Sequence, residues 1–336
     1  MNTDRTVRGS RFLRGAFLLS ALIGMHLWSA SPAFAQEGDA EIVANLSTGR
    51  ALFCVTKDGI VLATVQSAAS AADPDARSPA VVELPRGRIA ILLGAVEWVL
   101  PASGRDPIRL DYELPRLLAG AAAEPPKTAD TGTATDIEAI GIRLLERLRA
   151  VASNLHSKID LRPDEPLLEM ILVGYVENYG PEVWRLSYRV VQDPLRGDFW
   201  RTRVLRPHVV QLYPPEKGQL RTLIEVAYPP DAPGPSLAEL LTSNDPRLAR
   251  IRSGDAAMAR AIEKIATGES HKTETGPAAA FLRAALSAIV PQETSLVFGV
   301  LSERQGIEWA LAPPEPAQKV EQPSEPGAPT LRKKRP

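Results

Sequence analysis

The chain has 336 residues, with 39 Lys and Arg against 40 Asp and Glu, a formal net charge of −1. Charges so nearly balanced leave no electrostatic footprint for nucleic acid. Cys54 is the one cysteine, which excludes an internal disulfide and leaves packing to hold the fold.

Residues 1–35 have the layout of an export signal. Arg5, Arg8, Arg11 and Arg14 make a basic start, Ala16–Trp28 is apolar, and Ala33-Phe34-Ala35 is a small-x-small cleavage site before Gln36. The apolar run falls short of the ~20 residues that a membrane span needs, so a cleaved signal is expected, with no transmembrane segment in the mature chain. Neither a twin-arginine pair nor a lipobox cysteine is present. General secretion to a bacterial periplasm or exterior is the expected route. The first 35 residues hold four Arg and one Asp, so the mature chain keeps 35 basic and 39 acidic side chains, a net charge of −4. Its folded part is expected over 36–312.

Gly49–Gln66 reads as a hairpin: Ala51–Val55 and Ile60–Val65 are apolar runs joined by Lys57-Asp58-Gly59, and Asp-Gly between such runs is a strong hairpin signal. Cys54 lies inside the first run, as a small buried hydrophobe. Ser67–Ser78 is a loop. Val81–Leu84 and Arg88–Leu93 flank Pro85-Arg86-Gly87 as a second strand–turn–strand unit. Arg109–Leu118 reads as a short helix and Gly120–Thr135 as a linker. Thr135 and Glu138 have the spacing of a capping box. Ile137, Ile140, Leu144, Leu148, Val151 and Leu155 then recur on one helical face, with Arg143, Glu146, Arg147 and Arg149 on the other.

Leu167–Val190 is the longest hairpin. Its first run is almost continuously apolar, Glu177–Pro181 turns the chain, and the return run alternates Val183, Arg185, Ser187 and Arg189 with Trp184, Leu186, Tyr188 and Val190. Arg203–Leu212 and Gln219–Tyr228 are strand-like. Ser236–Leu241, Pro246–Ile251, Asp255–Ile265 and Pro277–Ile289 read as helices, and Thr294–Leu301 with Ile307–Leu311 as the last hairpin. Residues 313–336 carry seven prolines and end Arg332-Lys333-Lys334-Arg335, a disordered tail whose charges are either solvated or in touch with an anionic surface.

This order of hairpins and helices resembles the proteasome β-subunit family of N-terminal-nucleophile hydrolases. The blocks that carry the likeness are Gly49–Val65, Val82–Gly94, Leu172-Val173-Gly174-Tyr175 followed by Gly180-Pro181-Glu182-Val183-Trp184, and Phe281–Leu311. They cover about half of the mature chain, and their order matters more than any one of them. The resemblance implies an α+β fold, a four-layer α-β-β-α sandwich with two stacked sheets and helices outside, interrupted by an insertion at about 191–275. It also implies homo-oligomers, since relatives form rings.

Catalysis in that family needs a processed N-terminal threonine whose hydroxyl attacks a carbonyl while its own amine acts as base. Thr48 stands one residue before the corresponding position, which falls on Gly49. The resemblance places the family's aspartate on Val65 and its lysine near Ala76, beside Arg77. Neither Val65 nor Ala76 ionises, and an arginine is no tuned amine. Thr48 is therefore either a nucleophile exposed by removal of Gln36–Ser47 or an ordinary polar lead-in to a strand. The expectation is a degenerate scaffold that binds or assembles, with a threonine peptidase or amidase as the alternative.

A second candidate site is the run around Phe199-Trp200, where Arg196, Arg201, Arg203, Arg206 and His208 cluster. Trp200, Arg201 and Arg203 suit an anionic or aromatic ligand, through charge and stacking; the other reading is the solvated face of an inserted strand. His156, His208 and His271 lack metal-ligand spacing. No P-loop or dinucleotide glycine motif is present, so neither a metal nor a cofactor is expected.

Overall fold

The computed structural model describes residues 43–66, 78–100, 108–123, 133–153, 158–159, 165–176, 179–196, 199–230, 235–243, 245–253, 256–290 and 294–313. Residues 1–35, read as an export signal, Ala76 with Arg77, His156 and the stretch beyond residue 313, read as a tail, lie outside them. No helix among the described residues is long and apolar enough to cross a membrane.

Fourteen strands and six α-helices are described. The strands are β1 (Val43–Ser47), β2 (Gly49–Val55), β3 (Ile60–Gln66), β4 (Ala80–Leu84), β5 (Arg88–Leu100), β6 (Ile108–Glu113), β7 (Leu168–Val176), β8 (Gly180–Tyr188), β9 (Val190–Pro194), β10 (Trp200–Val204), β11 (His208–Tyr213), β12 (Leu223–Tyr228), β13 (Leu296–Ser302) and β14 (Gly306–Leu311). The helices are α1 (Leu114–Ala123), α2 (Thr133–Ser153), α3 (Leu237–Thr242), α4 (Ala249–Arg252), α5 (Ala256–Ala266) and α6 (Thr275–Ile289).

Every pairing is antiparallel. A seven-stranded sheet runs β1-β5-β7-β8-β11, with β4 and β6 also on β5. A five-stranded sheet runs β12-β2-β3-β13-β14, and β9 pairs with β10 as a separate ribbon. The four hairpins expected at 49–66, 81–93, 167–190 and 294–311 are present as β2–β3, β4–β5, β7–β8 and β13–β14. Of the segment read as an insertion, β11 joins the seven-stranded sheet and β12 the five-stranded one.

Alternation along the strands sorts the side chains into three apolar clusters. Leu92, Leu168, Met170, Leu172 and Leu186 pack with Leu118, Ile140, Leu144 and Leu148 of α1 and α2. Leu52, Val61, Ala63 and Phe298 pack with Leu241, Ile265, Phe281 and Leu286 of α3, α5 and α6. Phe53, Leu62, Ile91, Ile171, Val183 and Tyr228 form the third, from strands of both large sheets. Near-continuous apolar runs such as Ala51–Val55 follow from strands that are covered on both faces.

The expected N-terminal-nucleophile sandwich of four layers, α-β-β-α, is corrected by this strand-dominated arrangement. The protein is mostly antiparallel sheet, in three sheets, and of its six helices α3 and α4 have six and four residues. The cause of the error is physical: hairpins in a given order satisfy local pairing rules in many antiparallel folds, and local pattern does not say which hairpin joins which sheet.

Three local expectations also change. The helix read over Arg109–Leu118 is strand β6 followed by α1, which begins at Leu114. The helix read from Thr135 begins at Thr133, so Thr135 lies inside it; Asp136 sits in its first turn and accepts from Arg88 at 2.6 Å and Arg86 at 3.3 Å. Arg143, read on the face opposite the apolar stripe, is buried and donates through Nε to Ala121 O at 2.7 Å, near the end of α1. A basic group there also suits the negative end of the helix dipole.

Candidate functional site

The two sites read from the sequence lie on different elements. Thr48 is the single residue between β1 and β2. On its amino side β1 pairs with β5, with Ser47 opposite Gly94. Ser47 is fully buried, its hydroxyl 2.8 Å from Ser78 O and 3.3 Å from Leu92 O, donating to these carbonyls. On its carboxyl side Gly49 has φ +152, and a Cβ there would meet Val65 O at 2.2 Å. Val65 is buried in the cluster shared with α6. Arg50, the next residue, forms an ion pair at 2.6 Å with Glu225, and Glu225 in turn accepts from the backbone of Ala238 at the start of α3 at 2.9 Å. The ionisable residue closest in sequence to Thr48, Arg50, is thus engaged in holding β2, β12 and α3 together.

Cys54 is fully buried, and burial pushes its thiol up to about 11, the Ser270 hydrogen bond pulling the other way. A thiol held protonated is a poor nucleophile. Among the described residues no group of three or more His, Cys, Asp and Glu side chains has the geometry of a metal site.

The run at 196–208 becomes part of a groove. Arg201 and Arg203 project outward from β10 while Thr202 and Val204, alternating with them, are buried. Val204 joins the cluster of α2, and Thr202 accepts at 3.0 Å from Gln192 on the facing position of β9. This inner face seats the ribbon on the second half of α2. Between ribbon and helix opens a groove of about 600 Å³, lined by Arg149, Ala152 and Ser153 of α2 and by Leu195 and Arg201–Leu205.

Three arginines therefore share one concavity with an apolar lining from Ala152, Leu195, Val204 and Leu205. Arg149 donates through Nε to Val204 O at 3.0 Å, which fixes the plane of its guanidinium and leaves its terminal amines for another acceptor. Asp193 lies opposite Arg201 in register yet pairs with Arg203 at 2.9 Å. Arg201 makes no ion pair among the described residues. Trp200 stands beside the groove, not in its lining, with Lys158 6.0 Å from its ring centre. Arg206 pairs with Glu138 of α2 instead, and His208 is exposed at the start of β11.

The structure thus brings Arg201 and Arg203 together with a residue that sequence reading had placed only on the helix face opposite the apolar stripe, Arg149. The dimensions are those of a small-molecule site, which spans roughly 300–1,000 Å³. A guanidinium fixed on one edge and open on the other is the geometry that recognises a carboxylate or phosphate.

No protein-family model and no curated protein matches this sequence.

Proposed function

We propose that this is an exported binding protein whose ligand carries an anionic head and an apolar body, held in the groove between α2 and the β9–β10 ribbon. The observation that carries this reading is the convergence of Arg149, Arg201 and Arg203 on one concavity lined by leucine, valine and alanine. Arg149 and Arg201 supply the donors for the head group, and Ala152, Val204 and Leu205 the apolar contact.

Calorimetric titration with monomeric dodecyl phosphate, and with dodecyl maltoside as the uncharged comparison, tests it. The phosphate binds and the maltoside does not. Arg149→Ala and Arg201→Ala each weaken the phosphate by about tenfold or more, the worth of one hydrogen bond to a charged group. Equal binding of both amphiphiles, or no loss in either variant, removes the reading.

A further inference from the structure

We infer that the β9–β10 ribbon docks this protein on an anionic lipid surface; this rests on the groove reading, and names the surface from which an anionic amphiphile would be taken.

The first observation concerns apolar exposure. Five large hydrophobic side chains are exposed among the described residues, and three of them, Leu195 at 49%, Phe199 at 60% and Leu205 at 40%, belong to this one ribbon. Leu195 follows β9 and Phe199 precedes β10, and Leu195 N donates to Phe199 O at 2.7 Å. Large apolar groups gathered in the open on one ribbon mark a contact surface, not leftover core.

The second observation is charge. Between Arg189 and Arg206 the sequence has five arginines, Arg189, Arg196, Arg201, Arg203 and Arg206, against Asp193 and Asp198. The excess is +3, in a chain whose total is −1. Arg189, Arg196 and Arg201 make no ion pair among the described residues. A local cationic excess in a chain of opposite overall sign is complementary to an anionic surface, each Arg near it adding about tenfold or less to binding.

The third observation is the combination. Phe199 and Leu195 are exposed next to Arg196 and Arg201 in sequence, and an arginine stem can cover apolar surface while its charge stays in water. Phosphodiester headgroups over acyl chains satisfy both parts at once, as they do for amphipathic elements lying in a membrane interface. A nucleic-acid strand would satisfy the arginines and stack on Phe199 but leave Leu195 and Leu205 in water. Thr202 and Val204 alternate with the exposed arginines and are buried, Val204 in the cluster of α2, so contact of the exposed face with lipid disturbs neither large sheet.

The test uses the mature chain and flotation with vesicles of phosphatidylcholine alone or mixed with equal parts of phosphatidylglycerol. The protein floats with the mixed vesicles, and binding falls as salt is raised. Phe199→Ser combined with Arg196→Glu, neither of which lines the groove, lowers vesicle binding about tenfold or more and leaves the dodecyl phosphate titration unchanged. No flotation, equal flotation with both vesicles, or undiminished flotation of the double variant overturns the inference. Loss of dodecyl phosphate binding by wild-type protein would instead remove the groove reading, so the two failures are told apart.

Discussion

Arg185 of β8 donates to both carboxylate oxygens of Glu169 on the neighbouring strand β7, at 2.8 and 2.7 Å, and Ser187 donates to the same carboxylate at 2.7 Å. Glu169 is 1% exposed, whereas the Arg185 side chain keeps 34% of its exposure. Hydrogen bonding to Glu169 holds the guanidinium further into its charged range, against the opposing effect of burial. The two ends of the pair are therefore unequal. Arg185→Met strands a buried carboxylate on one hydroxyl and should cost about 3 kcal/mol, the low end for breaking a buried pair because Arg185 itself reaches water. Glu169→Gln keeps the shape and leaves a guanidinium that can turn to solvent, at about 1 kcal/mol. Urea unfolding of the two variants, with the arginine variant the weaker, is the check.

Gly94 is where β5 changes partners. Ser47 of β1 lies across from it on one side and Leu168 of β7 on the other. Its φ is +99, and a Cβ would stand 2.7 Å from Leu167 O, the carbonyl that accepts from Ala95 N at 2.8 Å. Gly94→Ala combines an unfavourable backbone with a clash against main chain that has no room to move. A loss of at least about 2 kcal/mol is expected, read as a lowered midpoint in thermal unfolding. Gly87→Ala, whose Cβ would meet nothing within 4 Å although φ is +65, should lose less.

The Cys54 thiol gives the pH dependence its sign. Its pKa is raised from 9.0 to about 11 on folding, by burial. Between pH 9 and 11 the unfolded chain releases this proton and the folded chain keeps it, so the contribution to stability is whole below pH 9 and fades as pH rises to 11. Wild type should lose about 2 kcal/mol more than Cys54→Ala across that window, measured by urea unfolding at both ends. At pH 8 the folded protein should resist iodoacetamide and react only once unfolded.

Thr48 is tested by mass. Cleavage between Ser47 and Thr48 would detach β1 from β5 and remove a buried hydroxyl with two carbonyl neighbours. The purified protein should therefore carry residues upstream of Thr48, and Thr48→Ala should leave the intact mass shifted only by the substitution. A mature chain that starts at Thr48 would restore the peptidase reading.

The elements legible in the sequence are those specified by their neighbours. Lys57-Asp58-Gly59 marks its turn, and the stripe from Ile137 to Leu148 marks the buried face of α2. What stayed hidden depends on distant partners. Val43–Ser47 shows no strand signal of its own, and β1 exists because β5 offers it an edge about fifty residues later. Arg109–Glu113 is too short to separate a period of two from one of 3.6. Glu169 interrupts an apolar run without announcing Arg185, although the strict alternation of Arg185 and Ser187 on the return strand was a signal that could have located its partners. For the groove, Arg201 and Arg203 were singled out from composition, but Arg149 is some fifty residues away, and only the seating of the ribbon on α2 joins them. The layer architecture was misread for the same reason: each hairpin was visible, and its neighbours were not.

In the five-stranded sheet, β2 and β3 come from the first 66 residues, whereas the strands on either side of them, β12 and β13, begin at Leu223 and Leu296. A ribosome making this chain therefore releases a strongly apolar hairpin long before either neighbour exists, with both edges bare and ready to pair with another molecule. Premature termination anywhere before Leu296 would leave β3 permanently uncovered on that side, so such fragments should gather into aggregates instead of persisting as smaller soluble forms.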